Sequence, residues 1–324
     1  MIGRPSHAFN SLMLVYTQLD AATTGVLMAR LQEDASKNEG GLPDLFHLPH
    51  VRLWTKIRPG ARQLLTGIVG SSLCEVLVYT MGDRSYADRM AQLLDPQGRV
   101  LRSGRVIAAG DSTVAGVKDL DVVLGDARGV LVVDDTRGVW AKHGSNVIVP
   151  ERYHFFPSSA ASFGASPRSS YLARGTDEDV DTGPLAAVTS VIQHVHAAFF
   201  AAEAERSGTG DVRKLLTSHR ASTLAGVVVL FSGVIPVKNG GCSPEEHPTW
   251  RTALELGARC VAEQCDEVTH VVVQRAGTDK HRWAARRPHV LCVTPAWLTA
   301  CSSTWSRVPE SKFAVADADA GPTS

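Results

Sequence analysis

Short, unbroken apolar runs that stop abruptly at polar residues constrain this chain more than any other feature. Leu12–Tyr16 is one, Val76–Tyr79 ends in Thr80-Met81-Gly82, and Val130–Val133 ends in Asp134-Asp135. A strand buried on one face alternates apolar with polar residues, whereas unbroken Val and Leu belong to strands covered on both faces of a parallel sheet. Helix-like stretches separate the runs, such as Ser85–Leu94, which Asp95-Pro96 would stop. That rhythm predicts an open α/β sheet. A second set of runs, Val227–Phe231, Val268–Val273 and Val290–Val293, follows a segment of different character. Ser158–Ser170 is rich in Ser, Ala, Gly and Pro, and Asp177–Asp181 is acidic, so both read as surface linker. Leu185–Glu205 carries a helical stripe at Leu185, Val188, Ile192, Val195 and Phe199, and a shorter helix is expected over Asp211–His219. The expected division is a sheet domain over 8–157, a linker and helical segment over 158–212, a small α/β domain over 213–313 and a disordered tail over 314–324.

The 324 residues suffice for two domains with real cores. Lys plus Arg and Asp plus Glu both number 33, so no global field draws the chain to nucleic acid, and recognition of a polyanion must be local. No direct nucleic-acid partner is therefore expected. The six cysteines form no CxxC pair, which argues against zinc and against a disulfide scaffold and fits a reducing compartment. No run approaches the ~20 apolar residues of a membrane span, so no membrane partner is expected either.

In an open parallel sheet, chemistry gathers beyond the carboxyl ends of the strands. Thr80 and Asp134-Asp135 stand at such ends, and Lys118 lies between them in Gly116-Val117-Lys118-Asp119-Leu120. A hydroxyl, an ammonium and two carboxylates make a phosphoryl-transfer set. The carboxylates suit Mg²⁺, and the other two groups suit the oxygens of a phosphoryl group. Taken singly each is ordinary: a loop lysine is usually solvated, and Asp-Asp after a strand is commonly turn chemistry.

The wider wording narrows the choice. Trp54-Thr55-Lys56-Ile57-Arg58-Pro59-Gly60, Val78-Tyr79-Thr80-Met81-Gly82, Tyr86-Ala87, Leu93-Leu94-Asp95-Pro96 and Val133-Asp134-Asp135, with Trp140 soon after, resemble the Fcp-type C-terminal-domain phosphatases in order and spacing. Val149-Pro150-Glu151-Arg152-Tyr153 and Phe155-Phe156-Pro157 close the domain as in plant-like members. The likeness runs from about Phe46 to Phe313. It implies a haloacid-dehalogenase-like fold and Mg²⁺-dependent hydrolysis of phosphoserine through an aspartyl-phosphate. The implied substrate is the phosphorylated tail of RNA polymerase II, with transcription machinery proteins as further partners and the nucleus as the compartment. By matched position, Thr80 would be the second-motif hydroxyl, Lys118 the third-motif lysine, and Asp134 and Asp135 the metal-binding fourth motif. Arg58 would grip the substrate phosphate, since a guanidinium meets phosphate bidentately.

The departure lies at the start. The family opens with Asp-x-Asp-x-Thr after its first strand, the first Asp attacking phosphorus and the second protonating the leaving oxygen. Here Leu12–Tyr16 is followed by Thr17-Gln18-Leu19-Asp20-Ala21-Ala22-Thr23. One register puts Thr17 and Leu19 at the two carboxylate positions and the other puts Gln18 and Asp20 there, so neither supplies both. Three readings stay open: a pseudophosphatase that still grips phosphorylated tails, a first exon replaced by unrelated residues, and a cryptic arrangement with Asp20 as nucleophile.

The last third resembles a BRCT domain, the module that follows the phosphatase domain in this family. The residues that carry the resemblance are Leu224-Ala225-Gly226, a helix through Trp250–Leu256 ended by Gly257, Gly277-Thr278-Asp279-Lys280 and Val293-Thr294-Pro295-Ala296-Trp297-Leu298. Trp297 is expected to pack the last helix onto the sheet. In BRCT domains that bind phosphoserine, a hydroxyl and a backbone amide after the first strand meet a lysine on the second helix. Ser232, Gly233 and Lys280 match those places, with Thr278 as helper. Many such domains instead bind unphosphorylated partners through other faces. Two functions follow, a tail phosphatase and a phosphopeptide-binding scaffold.

Overall fold

A computed structural model of the chain describes residues 11–14, 44–48, 53–70, 74–101, 104–123, 125–204, 210–236 and 243–315. The chain divides into two compact units, Met1–Val212 and Arg213–Ser324.

The first unit holds a five-stranded sheet in which every neighbouring pair is parallel. Its strands are β1 (Ser11–Leu14), β4 (Glu75–Tyr79), β5 (Val106–Ile107), β6 (Val130–Val133) and β7 (Val147–Ile148), in the order β5-β4-β1-β6-β7. β1 is central, and Leu14 stands level with Val78 on one side and Val133 on the other. The carboxyl end of β1 therefore lies between those of β4 and β6, which Thr80 and Asp134 directly follow. β2 (Leu45–Leu48) and β3 (Leu53–Lys56) form a separate antiparallel pair. All four residues of β6 are buried, as its unbroken Val-Leu-Val-Val requires. Val130 and Val132 pack with Tyr79, Ile107 and Trp140 in one core cluster.

α1 spans Ala61–Gly70 and α2 spans Arg84–Leu94. Asp83 caps α2 by accepting from the Tyr86 amide at 2.8 Å. Asp95 ends it and turns its carboxylate onto the amides of Arg99, Val100 and Leu101.

The stretch read as linker is folded. Pro157–Ser162 forms α3, Pro167–Ser169 a 3₁₀ turn and Tyr171–Arg174 α4. Ser159, Ala160 and Ser170 are buried, and the Tyr171 and Leu172 amides donate to the His154 and Phe155 carbonyls, so this stretch folds back on the chain before it. α5 (Pro184–Ala204) follows and lies against α1. Contrary to the expectation that no segment is long and apolar enough for a membrane, Pro184–Ala201 meets that test of length and composition, at mean hydropathy 1.2. Its Leu185, Val188, Ile192, Val195 and Phe199 are buried in the unit, which is also how a core helix behaves.

The second unit starts within α6 (Val212–Ser222) and holds a four-stranded parallel sheet, ordered β11-β10-β8-β9. The strands are β8 (Val228–Ser232), β9 (Arg259–Val261), β10 (His270–Val273) and β11 (Leu291–Val293). Both faces are covered. Val229, Phe231 and Val272 join Trp250 and Trp297 on one side, while Leu230, Val271 and Val273 join Ala284 on the other. The helices are α7 (Pro248–Glu255), α8 (Asp279–Ala285) and α9 (Pro295–Thr304). Gly257 ends α7 at φ +88°, where an added Cβ would lie 1.7 Å from the Ala221 carbonyl oxygen, so only glycine fits. Trp297 is fully buried, donates to the Val308 carbonyl at 3.0 Å and stacks on His270. The ordered chain runs past Phe313: Ala314 bridges to Val293, and the Val315 amide donates to the Cys292 carbonyl, covering the edge of β11.

Candidate active site

The site grows from the carboxyl ends of β4 and β6. Asp134 leaves β6 buried, and both of its oxygens accept hydrogen bonds, Oδ1 only one. Lys118 Nζ donates to Oδ2 at 2.9 Å, Trp140 Nε1 to the same oxygen at 2.7 Å, and the Thr136 amide to Oδ1 at 2.8 Å. Lys118 is itself held from below, its amide donating to the Val139 carbonyl at 2.9 Å. Its ammonium lies 5.7 Å from the ring centres of both Tyr79 and Trp140. Those two rings meet edge to face at 5.6 Å, so the lysine sits in an aromatic corner with one carboxylate. Burial pushes the Lys118 ammonium below its ordinary pKa, and the nearby Asp134 charge opposes that drop.

Asp135 faces another cation. Arg152 Nη1 lies 3.2 Å from its Oδ2, and Nη2 of the same guanidinium donates to the Asp135 carbonyl at 3.2 Å and to Thr136 Oγ1 at 2.6 Å. The guanidinium lies over the Phe163 ring, 3.9 Å from its centre. Burial raises the Asp135 pKa, with Thr136 and Arg152 pulling the other way. Thr80 follows β4, buried, and accepts from the Gly82 amide at 3.0 Å, which leaves its hydroxyl proton for another acceptor. The arrangement neutralises two adjacent carboxylates with two cations and supplies hydroxyl and ammonium donors beyond the carboxyl ends of the strands. Asp134 and Asp135 are hard oxygen donors of the kind Mg²⁺ takes with water filling its shell. Among the described residues, no three of His, Cys, Asp or Glu come together as a metal site.

Thr80, Lys118, Asp134 and Asp135 thus share one end of the sheet. Arg58 is engaged elsewhere: Nε and Nη2 grip Glu178 Oε2 and Oε1 at 2.7 and 2.8 Å. Asp20, with Thr17 and Gln18, lies outside the described residues. Sequence reasoning missed Arg152 as a partner of Asp135 and Trp140 as a donor to Asp134. Both sit in the quoted motifs, and a tryptophan six residues after a buried aspartate was the available signal.

In the second unit, Ser232 ends β8 buried, and its hydroxyl lies 2.6 Å from that of Thr278, which caps α8. Gly233 takes φ +69° directly afterwards. Lys280 Nζ donates to the Ala262 carbonyl at 2.7 Å.

Residues 25–162 match the family described as NLI interacting factor-like phosphatase, and residues 230–302 match the BRCA1 C Terminus (BRCT) domain. The chain therefore joins an NLI interacting factor-like phosphatase domain to a BRCT domain. Thr17, Gln18 and Asp20 precede the matched stretch. "RNA polymerase II C-terminal domain phosphatase-like 4" of Arabidopsis thaliana is 41% identical over 87% of this chain and 62% of its own length. "RNA polymerase II C-terminal domain phosphatase-like 3" of the same plant is 37% identical over 93% of this chain and 24% of its own length. The chain thus spans less than two thirds of these curated relatives. The solved structure of a variant of the fission yeast RNA polymerase II CTD phosphatase Fcp1, bound to beryllium fluoride, superposes at TM-score 0.68 with 25% identity, covering 95% of this chain and 96% of that one. The Fcp-type resemblance of the sequence is met by both domains in their order and by the fold of that phosphatase.

Proposed function

We infer that this chain acts on, or holds, the serine-phosphorylated C-terminal domain of RNA polymerase II through its phosphatase-type domain. The observation that carries the reading is the paired set Lys118–Asp134 and Arg152–Asp135, placed with Thr80 beyond the strand ends where phosphoryl chemistry gathers in such sheets. Lys118 and Thr80 would bind and orient the phosphoryl oxygens. Asp134 and Asp135 would hold Mg²⁺, whose positive charge, once bound, offsets that of the phosphoryl group. The haloacid-dehalogenase-like mechanism that the family resemblance implies also needs a nucleophilic and a proton-donating carboxylate after β1. Thr17 and Leu19, or Gln18 and Asp20, do not supply both. The chain in this sequence is therefore a binder of phosphorylated tails without turnover, and an Asp-x-Asp-x-Thr run in the transcript ahead of Phe46 would make it a phosphatase. The substrate puts the protein in the nucleus, among transcription machinery proteins.

The BRCT domain adds a second phosphopeptide surface at Ser232, Gly233, Thr278 and Lys280, supported by the paired hydroxyls and by Lys280 two residues after the capping Thr278. The test is the purified chain with Mg²⁺, p-nitrophenyl phosphate and a serine-phosphorylated tail peptide. The expected result is phosphate-dependent peptide binding and no hydrolysis. Hydrolysis that vanished in Asp20→Asn would replace this reading with the cryptic nucleophile.

A further inference from the structure

Four polar side chains of the first unit converge on two acids other than the carboxylate pair beyond the strand ends. Lys56, which ends β3, meets Asp177 Oδ2 at 2.9 Å. Arg58, two residues on, grips both oxygens of Glu178. Tyr153 donates to Asp177 Oδ1 at 2.7 Å and Tyr171 to Glu178 Oε1 at 3.1 Å. The walls are aromatic, with Lys56 over Phe155 and Arg58 over Tyr153, each at 5.4 Å. Both cations are buried.

Two cations and two hydroxyls thus surround a double negative charge with four acceptor oxygens. A phosphoserine brings about −1.5 to −2 charge and three strong acceptor oxygens, so it satisfies the same donors. The guanidinium fork fits phosphate as well as carboxylate.

The two acids lie at the end of an exposed stretch. Residues 173–177 are exposed, and Glu178 turns one side chain inward from the surface, where it is 4% exposed.

We propose that Lys56, Arg58, Tyr153 and Tyr171 form a box for a phosphoserine of the polymerase tail, which Asp177 and Glu178 fill as an internal competitor until the phosphopeptide displaces them. This rests on the tail-binding reading above. A site filled by its own chain about nine times in ten shows an apparent affinity about tenfold weaker than its intrinsic one.

The experiment uses the full chain and a fluorescent serine-phosphorylated tail peptide beside its unphosphorylated counterpart. Asp177→Asn with Glu178→Gln keeps side-chain size while removing the charge and one acceptor oxygen from each side chain. The double variant should bind the phosphorylated peptide about tenfold more tightly and the plain peptide no differently. Adding Arg58→Ala should abolish that gain, and a gain that persists would come from elsewhere and overturn the proposal. The unaltered chain gives an independent readout: glutamyl endopeptidase should cut after Glu178 faster when phosphopeptide is added, and not with the plain peptide. Phosphate-dependent binding with neither a gain in the double variant nor faster cleavage would sink the internal competitor and leave the tail-binding reading standing. Absence of phosphate-dependent binding in every form of the chain would sink both.

Discussion

Each unit has one lysine proposed above to meet phosphate, and the two sit in opposite surroundings. Lys118 is 2% exposed, locked on Asp134 between two aromatic rings. Lys280, in the first turn of α8, is only half-buried and rests on the Ala262 carbonyl oxygen. Fixing a cation in low dielectric preorganises it for charge at one spot, at a desolvation cost that only a partner and good hydrogen bonds offset. A lysine that keeps part of its hydration costs the fold little and contributes little until a ligand arrives. The phosphatase-type site is therefore part of the core of its unit, while the BRCT surface is added to a core that stands without it.

The sharpest way to break that comparison is Lys118→Met. It leaves a buried carboxylate without its cation, an event that typically destabilises by ~3–5 kcal/mol. The low end is expected, because Trp140 and the Thr136 amide still donate to Asp134. Urea denaturation of the variant should show a loss of about 3 kcal/mol, and a loss within about 0.5 kcal/mol, typical of a surface change, would mean that Lys118 is not a core group at all.

Lys280→Ala is the counterpart. Its unfolding free energy should stay within about 0.5 kcal/mol of the unaltered chain, as for other surface changes. A hydrogen bond to a charged group contributes about 1.5–3 kcal/mol, so the BRCT share of phosphopeptide binding should fall about tenfold or more. Equal affinity for phosphorylated and plain peptides, measured by titration calorimetry, would remove the phosphate pocket from this domain.

What the sequence made legible follows the same line. The unbroken runs at Val76–Tyr79, Val130–Val133 and Val227–Phe231 announce strands covered on both faces, because burial on two sides leaves no polar register. Thr80, Lys118, Asp134 and Asp135 are legible as residue types at strand ends. Their pairing is not, since Lys118 and Asp134 are 16 residues apart and only the sheet brings them together. Arg58 and Glu178 are 120 residues apart, and the acidic segment has the composition of a linker. Composition reports what a segment can tolerate in water and says nothing of a cation waiting across the fold. Ser158–Ser170 misleads for the converse reason: small residues that suit a linker also suit burial, as Ser159, Ala160 and Ser170 show.

The smallest expected effect lies in the BRCT unit and tests whether its core is as free of charge as its surface is not. His270 is buried, stacked on Trp297 at 4.8 Å, with Nδ1 2.8 Å from Thr269 Oγ1 and Nε2 3.3 Å from Glu310 Oε1. Burial lowers its pKa, and Arg307 beside it adds to the drop while Glu310 opposes it. A histidine whose folded pKa lies below its unfolded one binds fewer protons folded than unfolded in the window between the two. Stability therefore rises with pH through that window and is lost as pH falls below about 6.5, the unfolded value. Amide exchange along β10, corrected for its intrinsic pH dependence, should speed up as pH falls from about 7.5 to about 5.5, across that unfolded value. In His270→Gln, which keeps hydrogen-bonding groups but does not titrate, the acceleration should shrink. The same acceleration in both would shift the acid sensitivity to another group and leave His270 as packing for Trp297 alone.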